Sequence, residues 1–84
     1  MEYCVVRLSP TQRDREWELA TIGAARVEKQ GVDAVLGHAA NSQLDALHAF
    51  VQVIQQMLSA GWEPAGGAVA IGDAGREQAL VKRA

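Results

Sequence analysis

With 84 residues and a formal net charge of −2, the chain has room for one hydrophobic core and lacks the clustered Lys and Arg that phosphate binding needs, which excludes a basic nucleic-acid module. Aromatic residues make up only 5% of it, too few for a single-strand stacking platform. Cys4 is the sole cysteine, so no internal disulfide is possible, and domains of this size gain their missing stability from a metal or a second copy of themselves.

Residues 1–8 show no basic start followed by an apolar run, and no stretch approaches the ~20 apolar residues of a membrane span. The expectation is a cytoplasmic protein with no membrane partner. Glu2 to Leu8 alternates, with Cys4, Val6 and Leu8 on one face and Tyr3, Val5 and Arg7 on the other, which predicts a strand. Both faces are largely apolar, so this strand is expected to be central or covered on both sides.

Ser9-Pro10-Thr11-Gln12 reads as a helix start, with Ser9 as N-cap, Pro10 in the first turn and Gln12 reaching back. The predicted helix runs to about Gln30 and stops at Gly31, with an apolar stripe of Trp17, Ala20, Ala24 and Val27. Arg13, Asp14, Arg15, Glu16 and Glu18 form its mixed-charge solvated turn. Between Gly31 and Asn41, Val32, Val35, Leu36 and Ala39 fit a helical period while Val32 to Leu36 also fits a buried strand. The two glycines flanking this run, Gly31 and Gly37, favour a helical turn or an irregular connection.

Asn41-Ser42 caps a second helix that runs to Ala60 and ends at Gly61, with Asp45 near its positive end. Projected at ~100° per residue, Leu44, Leu47, Phe50, Val51, Ile54, Met57 and Leu58 fill one broad side, and Ala46, Ala49, Val53 and Ala60 a second arc. A helix on a sheet needs a narrower apolar face, so this one requires cover from two sides, by the sheet and by the first helix or a second protomer. Its remaining stripe carries Asp45, His48, Gln52, Gln55, Gln56 and Ser59. A solvated face usually holds Lys, Glu and Arg, whereas uncharged polar groups are buried at lower cost. That stripe, with Trp62, is the candidate interface or ligand cleft; the plain alternative is an exposed face of a Gln-rich helix.

Gly67 to Gly72, Asp73-Ala74-Gly75 and Arg76 to Arg83 read as a hairpin, with Val69 and Ile71 on one face and Leu80 and Val81 alternating across the return strand. Its glycines match no phosphate-loop pattern. Asp45 and His48 stand three apart on the second helix, and Cys4 or His38 would have to join them to build a nucleophilic or metal site. Without metal-ligand spacing, no catalytic, cofactor-binding or metal residue is assigned, and no cofactor is expected.

Gly61-Trp62-Glu63-Pro64-Ala65-Gly66-Gly67 and Gln78-Ala79-Leu80-Val81-Lys82 resemble a family of very short bacterial domains of unknown function, in which a helix ends in Gly-Trp-x-Pro and a hairpin closes on Gln-Ala-x-Val-Lys. The likeness implies a structural role for these residues and no activity. Relative to that family, residues 9–42 look like an insertion.

The predicted fold is a single α+β domain over residues 1–84, a three-stranded antiparallel sheet with two helices on one face, or a βαβαββ arrangement if residues 32–36 form a fourth strand. The predicted function is a non-enzymatic, self-associating assembly or adaptor module. The rival is a small-ligand-binding domain or minimal enzyme with a cleft lined by His48, Gln52, Trp62 and Tyr3.

Overall fold

The computed structural model describes residues 1–11, 16–72 and 74–83. Strand β1 (Glu2–Pro10) lies at the centre of the sheet, hydrogen-bonded along one edge to β2 (Trp17–Gly23) and along the other to a C-terminal strand, β6 (Gly75–Lys82). Beyond β2 stands β3 (Val27–Gly31). The chain then forms helix α1 (Val32–Leu36) and helix α2 (Gln43–Ser59) before the short strands β4 (Glu63–Pro64) and β5 (Val69–Ile71), which pair in turn with the far edge of β6. Among the described residues the result is a six-stranded, wholly antiparallel sheet in the order β3-β2-β1-β6-β4, with β5 beside β4 on β6.

Residues 9–31 overturn the predicted first helix and with it the three-stranded fold. Pro10 belongs to β1, and residues 17–31 form two strands of a meander. The turns are closed by Thr11 N–H to Glu16 O at 3.0 Å and Gly23 N–H to Arg26 O at 2.8 Å. Trp17, Leu19 and Thr21 alternate with Glu18, Ala20 and Ile22, a two-residue period that coexists with the helical spacing of Trp17, Ala20, Ala24 and Val27. Pairing with the apolar strand β1 decides between them. Gln12, Arg13, Asp14 and Arg15, expected in the capping box and the charged turn, lie outside the described residues. Gly31 precedes α1 in extended backbone (φ −74°, ψ 148°) rather than stopping a helix. Residues 32–36 are one helical turn, so the βαβαββ alternative falls as well. The αL backbone of Gly37 ends α1, and the Asp33 carboxylate accepts the Ala40 N–H at 2.8 Å, holding the connection against it.

Helix α2 begins and ends on local chemistry. Ser42 Oγ accepts the Asp45 N–H at 3.3 Å, a cap on the first turn, while Asp45 Oδ2 reaches back to accept the Asn41 N–H just before the helix at 2.9 Å. At the other end Gly61 has φ +99°, its N–H reaches Leu58 O, and the Trp62 N–H reaches Met57 O. This is the six-to-one bond of a Schellman cap.

The core lies between one sheet face and the helices. Cys4, Val6 and Leu8 of β1, Leu19 of β2 and Leu80 of β6 meet Val32 of α1 and Ala46, Ala49, Phe50 and Val53 of α2. Gln78, also buried, donates from Nε2 to Gly66 O and Ala79 O, both at 2.9 Å, which ties the break between β4 and β5 to β6. Gly75 starts β6 where no side chain fits: a Cβ there would stand 2.6 Å from Ile71 O and 3.0 Å from Leu8 O. Both are backbone atoms that cannot step aside. Gly75→Ala should therefore lower the unfolding free energy by about 1–3 kcal/mol, the usual cost of forced overpacking, read from urea denaturation followed by far-UV circular dichroism.

Candidate functional site

Helix α2 carries three stripes. Ala46, Ala49, Phe50 and Val53 are buried against the sheet. On one flank lies the polar stripe, where Gln52, Gln55, Gln56 and Ser59 together with Val35 of α1 line an open concavity of about 540 Å³. On the other flank stand Leu44, Leu47, Val51, Ile54 and Leu58. Leu44 (61% exposed), Val51 (48%) and Leu58 (40%) are spaced by seven residues, and the half-buried Leu47 and Ile54 alternate with them. This 3-4-3-4 spacing is the a/d pattern of helices that pair with one another. The residues bordering the seam on its outer side are His48 and Gln55; neither carries a fixed charge, so two such seams meet without like-charge repulsion.

The two apolar arcs of α2 are thus unequally covered. The alanine arc, with Phe50, faces the sheet, because small side chains let the helix axis approach the strands. Much of the large-residue side lies outside. The helix predicted to cover it is strand, and α1 sits on the opposite, glutamine-bearing flank.

The six candidate residues do not form one site. Gln52, Gln55, Gln56 and Ser59 share the concavity just described, and His48 lies exposed between that stripe and the apolar seam. Trp62 belongs to a separate cleft of about 630 Å³ between the C-terminal end of α2 and the β2–β3 turn, with Met57, Tyr3, Cys4, Thr21 and Arg26 among its walls. The ammonium of Lys82 lies 5.9 Å from the centroid of the Trp62 ring, a cation–π contact that orients the indole. No cavity among those described joins His48, Gln52, Trp62 and Tyr3.

The candidate chemistry disperses in the same way. The Asp45 carboxylate accepts an N–H at the helix cap, and His38 Nδ1 lies 3.1 Å from Ala39 O. Among the described residues no three His, Cys, Asp or Glu side chains are grouped to hold a metal ion, and no helix is long and apolar enough to cross a membrane. Burial pushes the Cys4 thiol above its ordinary value, which disfavours the thiolate that nucleophilic chemistry needs. Trp17, placed in the apolar stripe of the predicted first helix, packs against the core from β2, and its buried indole N–H has no partner among the described residues.

The second face of the sheet is as unusual as the helix seam. Alternation from the core residues places Tyr3, Val5 and Arg7 of β1, Ala20 and Ile22 of β2, Val27 of β3, Val69 and Ile71 of β5, and Ala79 and Val81 of β6 on the side away from the helices. None of these belongs to the core cluster. Register makes a continuous apolar row, Val27-Ile22-Val5-Ala79, with the pair Tyr3 and Val81 beside it.

No family model, curated protein or solved structure matches the chain.

The Cys4 thiol supplies a pH signature. Its folded-state pKa is raised above the ordinary 9.0, so its contribution to stability is full below about pH 9 and is lost as the pH rises through the folded value. Between about pH 8 and 10 the unfolding free energy of the parent chain should fall more steeply than that of Cys4→Ala, measured by denaturant titration at each pH. Parallel slopes would show that the thiol is not held protonated by the fold.

Proposed function

We propose that the chain is a non-catalytic, self-associating module in which α2 pairs with α2 of a second copy along Leu44, Leu47, Val51, Ile54 and Leu58. The observation that carries this reading is the seven-residue spacing of three exposed, large apolar side chains on a capped 17-residue helix. Exposed apolar side chains ordered along one helix flank are the surface such pairing uses. An isologous pair brings Val51, the middle residue of the seam, against its own copy. Two heptads make a short seam, so the pair relies on helices already held straight by their sheets rather than on an independent coiled coil.

A negative charge at the centre of the seam tests it. Val51→Glu places two carboxylates face to face in an apolar contact, while in a single chain it merely substitutes a half-exposed residue. Light scattering after size-exclusion chromatography at tens of micromolar should show the parent chain associated and the helix pairing lost in the variant, with far-UV circular dichroism unchanged. A parent chain that is strictly monomeric would sink the reading.

A small-ligand site is the second reading, supported by the Trp62 cleft, whose volume falls within the roughly 300–1,000 Å³ of ligand pockets. A thermal-shift screen of uncharged and aromatic metabolites reads it directly. A binder should also change the emission of Trp62 in a Trp17→Phe background; no stabilisation across a broad panel would count against the cleft.

A further inference from the structure

The helix seam leaves the opposite side of the molecule unexplained. The sheet face away from the helices is five strands wide, and β1 at its centre is nine residues long. At ~4.8 Å between strands and ~3.3 Å per residue, the usable face is roughly 20 by 25 Å, on the order of 500 Å² in projection and more in accessible surface. That approaches the roughly 600–1,000 Å² each partner gives to a stable interface. Tyr3 (63% exposed), Val27 (57%) and Val69 (61%) stand out from it, and Val5, Ile22, Ala79 and Val81 form the half-buried floor between them.

The charges on this face say what fits it. Arg7 Nε meets Glu77 Oε2 at 2.8 Å, Lys29 Nζ lies 3.9 Å from Glu18 Oε1, and Arg83 Nε lies 3.7 Å from Glu63 Oε2. Each cation is matched by an anion of the same chain, and the ion pairs flank the Val27-Ile22-Val5-Ala79 row rather than interrupt it. A strongly acidic or basic partner gains nothing here. A flat apolar row with self-neutralised flanks fits a surface of the same kind, which a second copy presents when turned about a two-fold axis. Two twisted sheets stack face to face in this way, their backbones about 10 Å apart and their inner side chains interdigitated between them.

We infer that the outer face of the sheet is a second self-association surface, on which two copies stack sheet against sheet through Val5, Ile22, Val27, Tyr3, Ala79 and Val81. This adds to the self-association reading but rests on a different surface. With an isologous contact on the helix side and another on the sheet side, assembly continues past a dimer.

Four chains measured by light scattering at equal concentration separate the two contacts. The parent should exceed the mass of two chains. Val51→Glu should give two chains, held by the sheets. Val5→Lys should give two chains, held by the helices. The double variant should give one. Val27→Lys, at an exposed edge position, repeats the sheet disruption where folding is not at stake. In the Val51→Glu background, Val5→Lys and Val5→Glu should each be single chains and recover a two-chain mass when mixed, since opposite charges then face each other across the stack. A single-chain mass for Val51→Glu alone would overturn the sheet contact and leave that face to a different protein. A single-chain mass for Val5→Lys alone, with Val51→Glu still at two chains, would overturn the helix pairing and leave the sheet contact standing.

Discussion

Strand β1 is the element on which the rest depends. It exchanges backbone hydrogen bonds with β2 along one edge and β6 along the other, and its inward side chains, Cys4, Val6 and Leu8, are each at most 5% exposed. Because a strand points alternate residues to opposite sides, the valine-rich composition that lets β1 fill the core also commits Tyr3 and Val5 to the other face. The same residues that stabilise the domain leave an apolar surface outside it.

A parallel constraint operates on α2. Ala46 and Ala49 bring the helix close to the strands, and Phe50 and Val53 fill the remaining depth of the core. A helix presents about a third of its circumference to one sheet, so Leu44, Val51 and Leu58 must fall elsewhere once that orientation is set. Short α1 borders the glutamine-bearing flank without burying it, and on the leucine-bearing flank Leu44, Val51 and Leu58 stay exposed. Two layers thus bury one apolar face each and expose one apolar face each. Both exposed apolar faces are the surfaces on which the self-association proposals rest.

Among the described residues the ionisable groups are dispersed over the fold. Asp45 serves the helix cap, burial pushes the Cys4 thiol above its ordinary value, and the ion pairs of the outer face lie at the surface, where such pairs contribute little to stability. The glycine-rich segment from Gly61 to Gly75 is spent on structure: Gly61 reverses the helix end, Gly66 O receives the buried Gln78 side chain, and Gly75 allows β5 and β1 to close on β6.

Elements whose bonds are local or whose signals are punctuated were legible in the amino-acid order. The caps of α2 at Ser42 and Asp45, its stop at Gly61, the alternation of β1, and the opposed facing of Leu80 and Val81 all rest on neighbours within a few residues. Residues 17–31 were settled by strand pairing. Trp17, Ala20, Ala24 and Val27 satisfy a helical period and Trp17, Leu19 and Thr21 satisfy a strand period, and the choice was made by pairing with the preceding strand, where Leu8 meets Leu19 and Val6 meets Thr21, which the period of residues 17–31 alone does not carry. The candidate surface followed the same rule. The seven-residue spacing of Leu44, Val51 and Leu58 was present in the sequence, but whether that side of α2 met the sheet, another helix or nothing depended on the fate of residues 9–30. Helical hydrogen bonds close within four residues, whereas strand pairing joined β1 both to β2 beside it in the chain and to β6 at its far end; this protein's open surfaces were set by the second kind of bond.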